Sequence, residues 1–291
     1  MEMRQLQYFQ EVCRSGSFTK AAANLFVAQP VITNAIHKLE DELGVRLLNR
    51  TNKAVSLTAE GTVLLERVNT LLGFADEIFQ EMCDFNMLNK GSLRLGVPPQ
   101  IGNYLFPRLF AEFSIRYPKL NFVVSEEVSG VTISLLEKGE LDVGMVVLPE
   151  NLPNMETRFL FSQPIVLCVA KSHRLNSCAS VDWGQLQNEK FIMRKPGSVQ
   201  RDIVIHQCRQ HGFLPNIIFS TSQIQTIKTL VAHNLGIAFL MEITVQGDSS
   251  LRVIPLTEPT SVKIGLVWKK GRYVSKAVQT FIDYAIDACR H

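Results

Sequence analysis

A chain of 291 residues with 46% hydrophobic and 20% charged side chains has the composition of a globular protein that buries a core, and its length allows one or two domains. The formal net charge of +3 does not by itself argue for nucleic acid, and residues 1–58 carry seven basic side chains against five acidic ones, so any DNA-binding case must rest on pattern. Six cysteines lack a C-x-x-C pair or a zinc-like spacing, no apolar run is long enough to span a bilayer, and the start lacks the basic and apolar stretches of a signal peptide, so a cytoplasmic protein with reduced thiols is expected.

The first ninety residues read as helices. Leu6, Phe9 and Val12 recur at helical spacing and mark a first helix that ends near Ser15-Gly16. A second, alanine-rich helix runs from Thr19 to Leu25, followed by a short break at Phe26-Val27-Ala28. Pro30 suits the first turn of a third helix, whose apolar stripe is Ile32, Ile36, Leu39 and Leu43, and Gly44 ends it. On the opposite face lie Gln29, Pro30, Thr33, Asn34 and His37. Short or planar polar groups at the start of a helix are what major-groove reading requires. A solvated helix face is the alternative.

Val45–Arg50 and Ala54–Leu57 flank the polar turn Thr51-Asn52-Lys53 and predict a hairpin, the wing of a winged helix-turn-helix. Arg46, Arg50 and Lys53 then lie beside the phosphate backbone, where contacts supply affinity and register rather than sequence information. Thr58 is placed to cap the next helix, with Glu60 in its first turn. Leu64, Val68, Leu71, Ala75, Ile78, Met82 and Phe85 alternate steps of four and three, which predicts a helix that pairs with a partner helix. Packing against the chain's own core is the alternative.

After Asn89-Lys90-Gly91 the character changes to strands alternating with helices, which predicts β-α-β units and a mostly parallel sheet. Strands are expected at Ser92–Val97, Asn121–Glu126 and Leu141–Val147, and again at Ile165–Ala170, Phe191–Met193, Ile217–Ser220, Ile237–Met241, Val253–Leu256 and Lys263–Trp268. Ser198, Ser222 and Ser275 are placed to cap helices. Two such modules suggest two lobes around a cleft, with ligands at the carboxyl ends of strands. The expected organisation is therefore α/β overall: a winged helix-turn-helix at 1–58, a long linker helix at 59–90 for dimerisation, and a two-lobed α/β domain with a ligand cleft at 91–291. Lobe I takes about 91–162 and 267–291, and lobe II about 163–266.

No G-x-S-x-G, H-E-x-x-H, P-loop or G-x-G-x-x-G arrangement occurs, so no enzyme and no cofactor is expected. The six histidines form no metal-ligand pattern.

The chain resembles the LysR-type transcriptional regulators. The resemblance rests on Phe18-Thr19-Lys20-Ala21-Ala22-Ala23-Asn24-Leu25, Ala28-Gln29-Pro30-Val31-Ile32-Thr33, Ile36, Leu39-Glu40-Asp41-Glu42-Leu43-Gly44-Val45, Leu47-Leu48-Asn49-Arg50 and Leu57-Thr58-Ala59-Glu60-Gly61. It continues more weakly through Gly139–Gly144 and Val231–Leu240. It implies a homotetramer of coiled-coil dimers, binding to dyad-symmetric promoter DNA, and a two-lobed effector domain like a periplasmic solute-binding protein. RNA polymerase is a candidate further partner, and no membrane is implicated.

Carried onto this sequence, the resemblance implies base contacts by Gln29, Pro30, Thr33 and Asn34, with Thr19 and His37 beside them, and wing contacts by Arg46 and Arg50. It implies an effector cleft at Pro98, Pro99 and Gln100, at Val128-Ser129-Gly130, and at Lys195-Pro196-Gly197-Ser198. Two departures stand out. Ala28 replaces the usual serine before Gln-Pro, and Pro98-Pro99 replaces the hydroxyls that often meet a carboxylate effector. Ser198 and Lys195 are either an anion-holding pair at a helix N-terminus or a plain cap and a surface lysine. Two other functions are considered. One branch of the family senses peroxide with a cysteine pair, but Val199 stands at the first cysteine, leaving Cys208, Cys168 and Cys178. A solute-binding protein would share the two lobes but has no use for the first ninety residues.

Overall fold

The computed structural model describes residues 1–51, 54–85 and 92–289. The chain divides into two compact units, Met1–Asn86 with Lys138–Glu140, and Met87–Glu137 with Leu141–His291.

The first unit contains α1 (Met3–Ser15), α2 (Phe18–Asn24), α3 (Gln29–Leu43), β1 (Leu48–Thr51), β2 (Ala54–Leu57) and α4 (Ala59–Phe85). Local chemistry sets the ends of these elements. Gly16 and Gly44 take left-handed φ of 63° and 68° after α1 and α3, a region where a residue without Cβ meets no penalty. Ser17 accepts from the Lys20 amide at the start of α2. The residue before α3 is Ala28, so that helix has no side-chain cap, and Pro30 in its first turn needs no backbone partner.

The core joins Leu6, Phe9 and Val12 of α1 to Ala21 and Ala22 of α2, Ile32, Ile36 and Leu39 of α3, and Val68 and Leu72 of α4. Alanines let α2 approach α1 and α3 closely. Leu43, expected in the buried stripe, is instead 39% exposed, because Gly44 turns the chain away before the stripe closes. Two buried carboxylates brace the unit. Glu11 accepts from Asn24 Nδ2 (2.7 Å) and pairs with Arg14 (2.8 Å). Glu40 accepts from the amides of Leu47 (2.8 Å) and Leu48 (3.3 Å), tying the end of α3 to β1. Thr58 Oγ1 donates to Arg46 O (2.7 Å) and accepts from the Gly61 amide (2.9 Å), capping α4 against the base of the hairpin.

The seam expected along α4 is divided. Val68 is buried and Leu64 half-buried against the core of their own unit, because α1 covers that part of the helix. Leu71, Ile78 and Met82 are exposed, with Ala75 half-exposed between them.

The second unit contains β3 (Ser92–Gly96), α5 (Pro99–Tyr104), α6 (Phe106–Arg116), β4 (Asn121–Ser125), α7 (Ser129–Glu137), β5 (Val143–Val147), β6 (Met155–Ala170), β7 (Lys190–Arg194), α8 (Val199–Gln210), β8 (Asn216–Thr221), α9 (Ile224–Ala232), β9 (Ala238–Met241), β10 (Leu251–Ile254), β11 (Ser261–Lys269) and α10 (Lys276–Ala288). Among the described residues, β10-β6-β11-β5-β3-β4 form one path of a seven-stranded sheet, with β9 also on β6, while β7 and β8 pair separately.

The sheet is mixed, not mostly parallel as the alternation of elements suggested. β3 is parallel to β4 and β5, and β7 to β8, but β6 and β11 run antiparallel to each other and to their other neighbours. The reason is the length of β6, whose first ten residues, 155–164, were not expected to be a strand. Up to Pro164 it pairs with β11, and from Ile165 onward with β9 and β10. The boundary expected near residue 163 therefore falls inside a continuous strand.

Two of the three serine caps are not made. Ser198 precedes α8 without capping it, and α9 begins after Gln223 rather than at Ser222, whereas Ser275 accepts from the Val278 amide and caps α10.

Candidate nucleic-acid interface and effector cleft

Burial of Ile32, Ile36 and Leu39 fixes the rotation of α3 and thereby turns Gln29, Pro30 and Asn34 to solvent, with Thr33 and His37 half-exposed at the edges of that face. Thr19 Oγ1, exposed at the start of α2, donates to Gln29 Oε1 at 3.3 Å. That contact orients the Gln29 amide and leaves its NH2 outward as a donor. Thr33 Oγ1 donates back to Gln29 O at 3.1 Å, so its methyl is the freer part of the side chain. His37 Nδ1 lies 3.8 Å from Glu40 Oε2.

Arg46 projects from the end of the helix-to-wing turn, mostly exposed, with Nη1 3.4 Å from Glu40 Oε2. Lys53 and the Arg50 side chain lie outside the described residues. The composite surface offers neutral hydrogen-bonding groups at the helix start and a cation at its flank.

Sequence reasoning passed over Phe26 in this region. It sits between α2 and α3 at a left-handed φ of 54° and is 95% exposed. Its amide donates to Ala23 O and the Val27 amide to Ala22 O, which holds the turn tight. The signal available was its position, where a left-handed residue ends a helix.

In the second unit, the expected effector segments all follow strands. Pro98 and Pro99 open α5, and Gln100 is buried with its Oε1 unpartnered. Ser129 is buried at the start of α7, and the exposed Gly130 amide donates to Gly197 O at 3.2 Å. A Cβ on Gly130 would stand 3.2 Å from that oxygen, a tight approach that glycine avoids. The structure thus joins 128–130 to the 195–198 turn. Lys195 is exposed, and Ser198 is buried without capping α8.

A missed residue stands beside that turn. Arg194, the last residue of β7, is buried, and burial pulls its guanidinium down to about 10. The strand was expected to stop at Met193, which left Arg194 looking like part of a surface turn.

The thiols of Cys168 and Cys208 are fully buried, and burial pushes both up to about 12. A thiol held protonated is a poor nucleophile. Among the described residues no group of three or more His, Cys, Asp or Glu could hold a metal ion, and no helix is long and apolar enough to cross a membrane.

Comparison with known proteins adds the following. The family model for the bacterial regulatory helix-turn-helix protein, lysR family, matches residues 3–62, and that for the LysR substrate binding domain matches residues 87–290. The HTH-type transcriptional regulator YwbI of Bacillus subtilis is 34% identical over 98% of this chain and 95% of that protein. The transcriptional dual regulator OxyR of Escherichia coli is 28% identical over 93% of this chain and 90% of that protein. A full-length OxyR variant from Pseudomonas aeruginosa is 26% identical and superposes with a TM-score of 0.74, covering 100% of this chain and 95% of that one. The LysR family regulator CbnR, at 21% identity, shares the fold with a TM-score of 0.72 over both whole chains.

Proposed function

The chain belongs to the LysR family of DNA-binding transcriptional regulators that carry an effector-binding domain, and we propose that it reads promoter DNA with the face Thr19, Gln29, Pro30, Thr33, Asn34 and His37. Arg46, Arg50 and Lys53 hold the flanking phosphates. Gln29 and Asn34 suit adenine edges, and the Thr33 methyl suits thymine. The observation that carries this is the orientation of α3, with its apolar stripe buried from Ile32 to Leu39 and its opposite face turned to solvent.

Copies associate through the exposed apolar part of α4, at Leu71, Ile78 and Met82, into dimers and then a tetramer in the cytoplasm, where RNA polymerase is a further partner. An effector enters between the two lobes near Pro98-Pro99-Gln100, Ser129-Gly130 and Lys195-Gly197-Ser198. It shifts the lobes, and hence the spacing of the DNA-reading pairs, only as far as it prefers one arrangement over the other. The deeply buried, protonated thiols give the redox-sensing alternative no support.

The test uses the full-length protein and a duplex enriched from a random-sequence library. Binding should weaken steeply with salt. Gln29→Ala should lose roughly 10- to 100-fold in affinity for that duplex, since a good base contact contributes about 1–3 kcal/mol. A protein that enriches no sequence, or a Gln29→Ala variant that binds the enriched duplex as tightly as the parent, overturns the assignment.

A further inference from the structure

Among the described residues no large apolar side chain is more exposed than Phe26, at 95%. A single exposed apolar residue needs no explanation by itself. Here the exposure coincides with an unfavourable backbone: φ is 54°, in the left-handed region that a bulky side chain disfavours. Both chain neighbours turn inward. Leu25 and Val27 are half-buried against the core of the first unit. The amides of Phe26 and Val27 donate to Ala23 O (3.3 Å) and Ala22 O (3.0 Å). The turn therefore holds the ring outward as a fixed projection, in a conformation that glycine or asparagine would adopt more easily. The ring buries almost nothing in its own unit, so no packing offsets the strain. Strain kept without a gain inside the fold points to a contact outside it.

The position of the turn identifies the partner. Phe26 comes three residues before Gln29, and the residues from Ala28 to Val31 are all exposed. The 3.3 Å bond from Thr19 Oγ1 to Gln29 Oε1 ties the start of α2 to the start of α3 on this side. When a helix-turn-helix sits on a duplex, its first helix crosses the backbone and the start of its second enters the major groove. The turn between them then stands at the groove wall, between sugar-phosphate and base edges. Residues 25–33 contain no acid that would repel the duplex, and Phe26, Ala28, Pro30 and Val31 form an exposed apolar run there. The 5-methyl of thymine is the apolar group that bases present in the major groove.

We propose that Phe26 is a further specificity-determining residue for DNA. Its ring packs on the 5-methyl group of a thymine and on the adjoining deoxyribose, at the base pair flanking the one that Gln29 meets. This rests on the reading of α3 as the recognition helix. The contact is apolar, so it adds affinity and base preference without displacing counterions from the phosphates.

The experiment uses the full-length protein and the duplex that it enriches from a random-sequence library, which should carry a thymine at the flanking position. Phe26→Asn relieves the backbone, and Phe26→Ala keeps a Cβ there but no ring. Each should bind that duplex roughly 5- to 20-fold more weakly than the parent, as expected for an aromatic ring that is partly buried on binding. The slope of log Kd against log salt should stay as in the parent, whereas losing a phosphate contact would flatten it. Replacing the thymine with deoxyuridine removes only the methyl group. It should weaken the parent about threefold and leave both Phe26 variants unchanged. Variants that bind as tightly as the parent, or a parent that does not distinguish thymine from deoxyuridine, overturn the proposal. So does Phe26→Asn that unfolds earlier than the parent, because the ring would then serve the fold. Variants that bind DNA normally but lose transcription with purified RNA polymerase would place the ring on a protein partner, which overturns it as well. Gln29→Ala that loses binding while the Phe26 variants keep it removes this assignment and leaves the recognition helix standing. A protein that enriches no sequence removes both.

Discussion

The two units treat buried charge differently. In the first, Glu11 and Glu40 are deep in the structure, but each accepts well-placed hydrogen bonds, and the groups assigned to DNA stand outside on α3. In the second, buried Lys228 is matched by Asp248 and half-buried Arg94 by Asp142, whereas Arg194, Gln100 and Gln200 keep unpartnered atoms under the surface. Duplex DNA is larger than the domain that reads it and must be met by a surface finished in advance. A small effector can be enclosed, so the groups that receive it can wait unsatisfied inside. Unsatisfied buried atoms are rare enough that each asks for a reason; those of Gln100, Arg194 and Gln200 lie at or just past the carboxyl ends of β3 and β7, while Ser114, Trp183 and Gln207 carry others elsewhere in the unit.

The sharpest way to break the comparison is to disable one unit alone. In the first, a Cβ on Gly61 would stand 2.0 Å from Leu47 O, where the start of α4 packs on the base of the wing. Backbone, not a flexible side chain, blocks it. Gly61→Ala should cost the first unit upwards of about 4 kcal/mol and remove its cooperative unfolding, while the second unit still melts as a separate calorimetric transition. A single unchanged transition would show that the hairpin is not held as described.

The second effect is kinetic. With thiol values raised from 9.0 to about 12, Cys168 and Cys208 hold roughly a thousandfold less thiolate than a free cysteine at any pH below 9. Alkylation followed by peptide mass mapping should find both modified last, and only through unfolding. The sign for stability follows from the same shift. The native state keeps these protons longer than the unfolded chain, so their contribution is constant below about pH 9 and is lost as pH rises toward 12. Rapid native-state labelling of Cys208 would reopen the redox reading.

Much of the first unit was legible because its determinants are local. Pro30 in a first turn, Gly44 past a helix end and Thr58 before Glu60 each act within four residues. So did the spacing of Ile32, Ile36 and Leu39. What was not legible depends on distant partners. Nothing in the spacing of Leu64 and Val68 distinguishes them from Leu71 and Ile78; α1 does, by covering the first pair. Pro164 looked like the start of a strand, yet β6 runs through it because β11 pairs on one side and β9 and β10 on the other. Ser198 has the right identity and position for a cap but makes no such bond. Arg194 appears beside a Lys-Pro-Gly turn, and its burial is a property of the packed lobes rather than of its neighbours in sequence.

Opposite signs are expected when matched and unmatched charges are removed. Glu40→Ala would strand the amides of Leu47 and Leu48, both buried, and should cost the first unit about 2–4 kcal/mol. Arg194→Met should instead stabilise the ligand-free second unit. Denaturant midpoints of the two variants, read unit by unit, decide it. Destabilisation by both would mean that Arg194 is structural and the contrast between the units is lost.

The smallest effect tests whether the first unit is free of strain at its surface. Phe26 occupies a left-handed backbone position that disfavours side chains branching from a bulky Cβ, at a cost of about 1–2 kcal/mol, and its ring gains little by being 95% exposed. Asparagine tolerates that backbone better than any other residue with a Cβ. Phe26→Asn should therefore raise the stability of the first unit by about 0.5–1 kcal/mol, seen as a small upward shift of its transition alone. The bonds from the Phe26 and Val27 amides to Ala23 O and Ala22 O involve only backbone and survive the change. A loss of stability would mean that the ring covers apolar surface after all, and that the DNA-reading unit keeps more of its binding energy inside than the exposed face of α3 suggests.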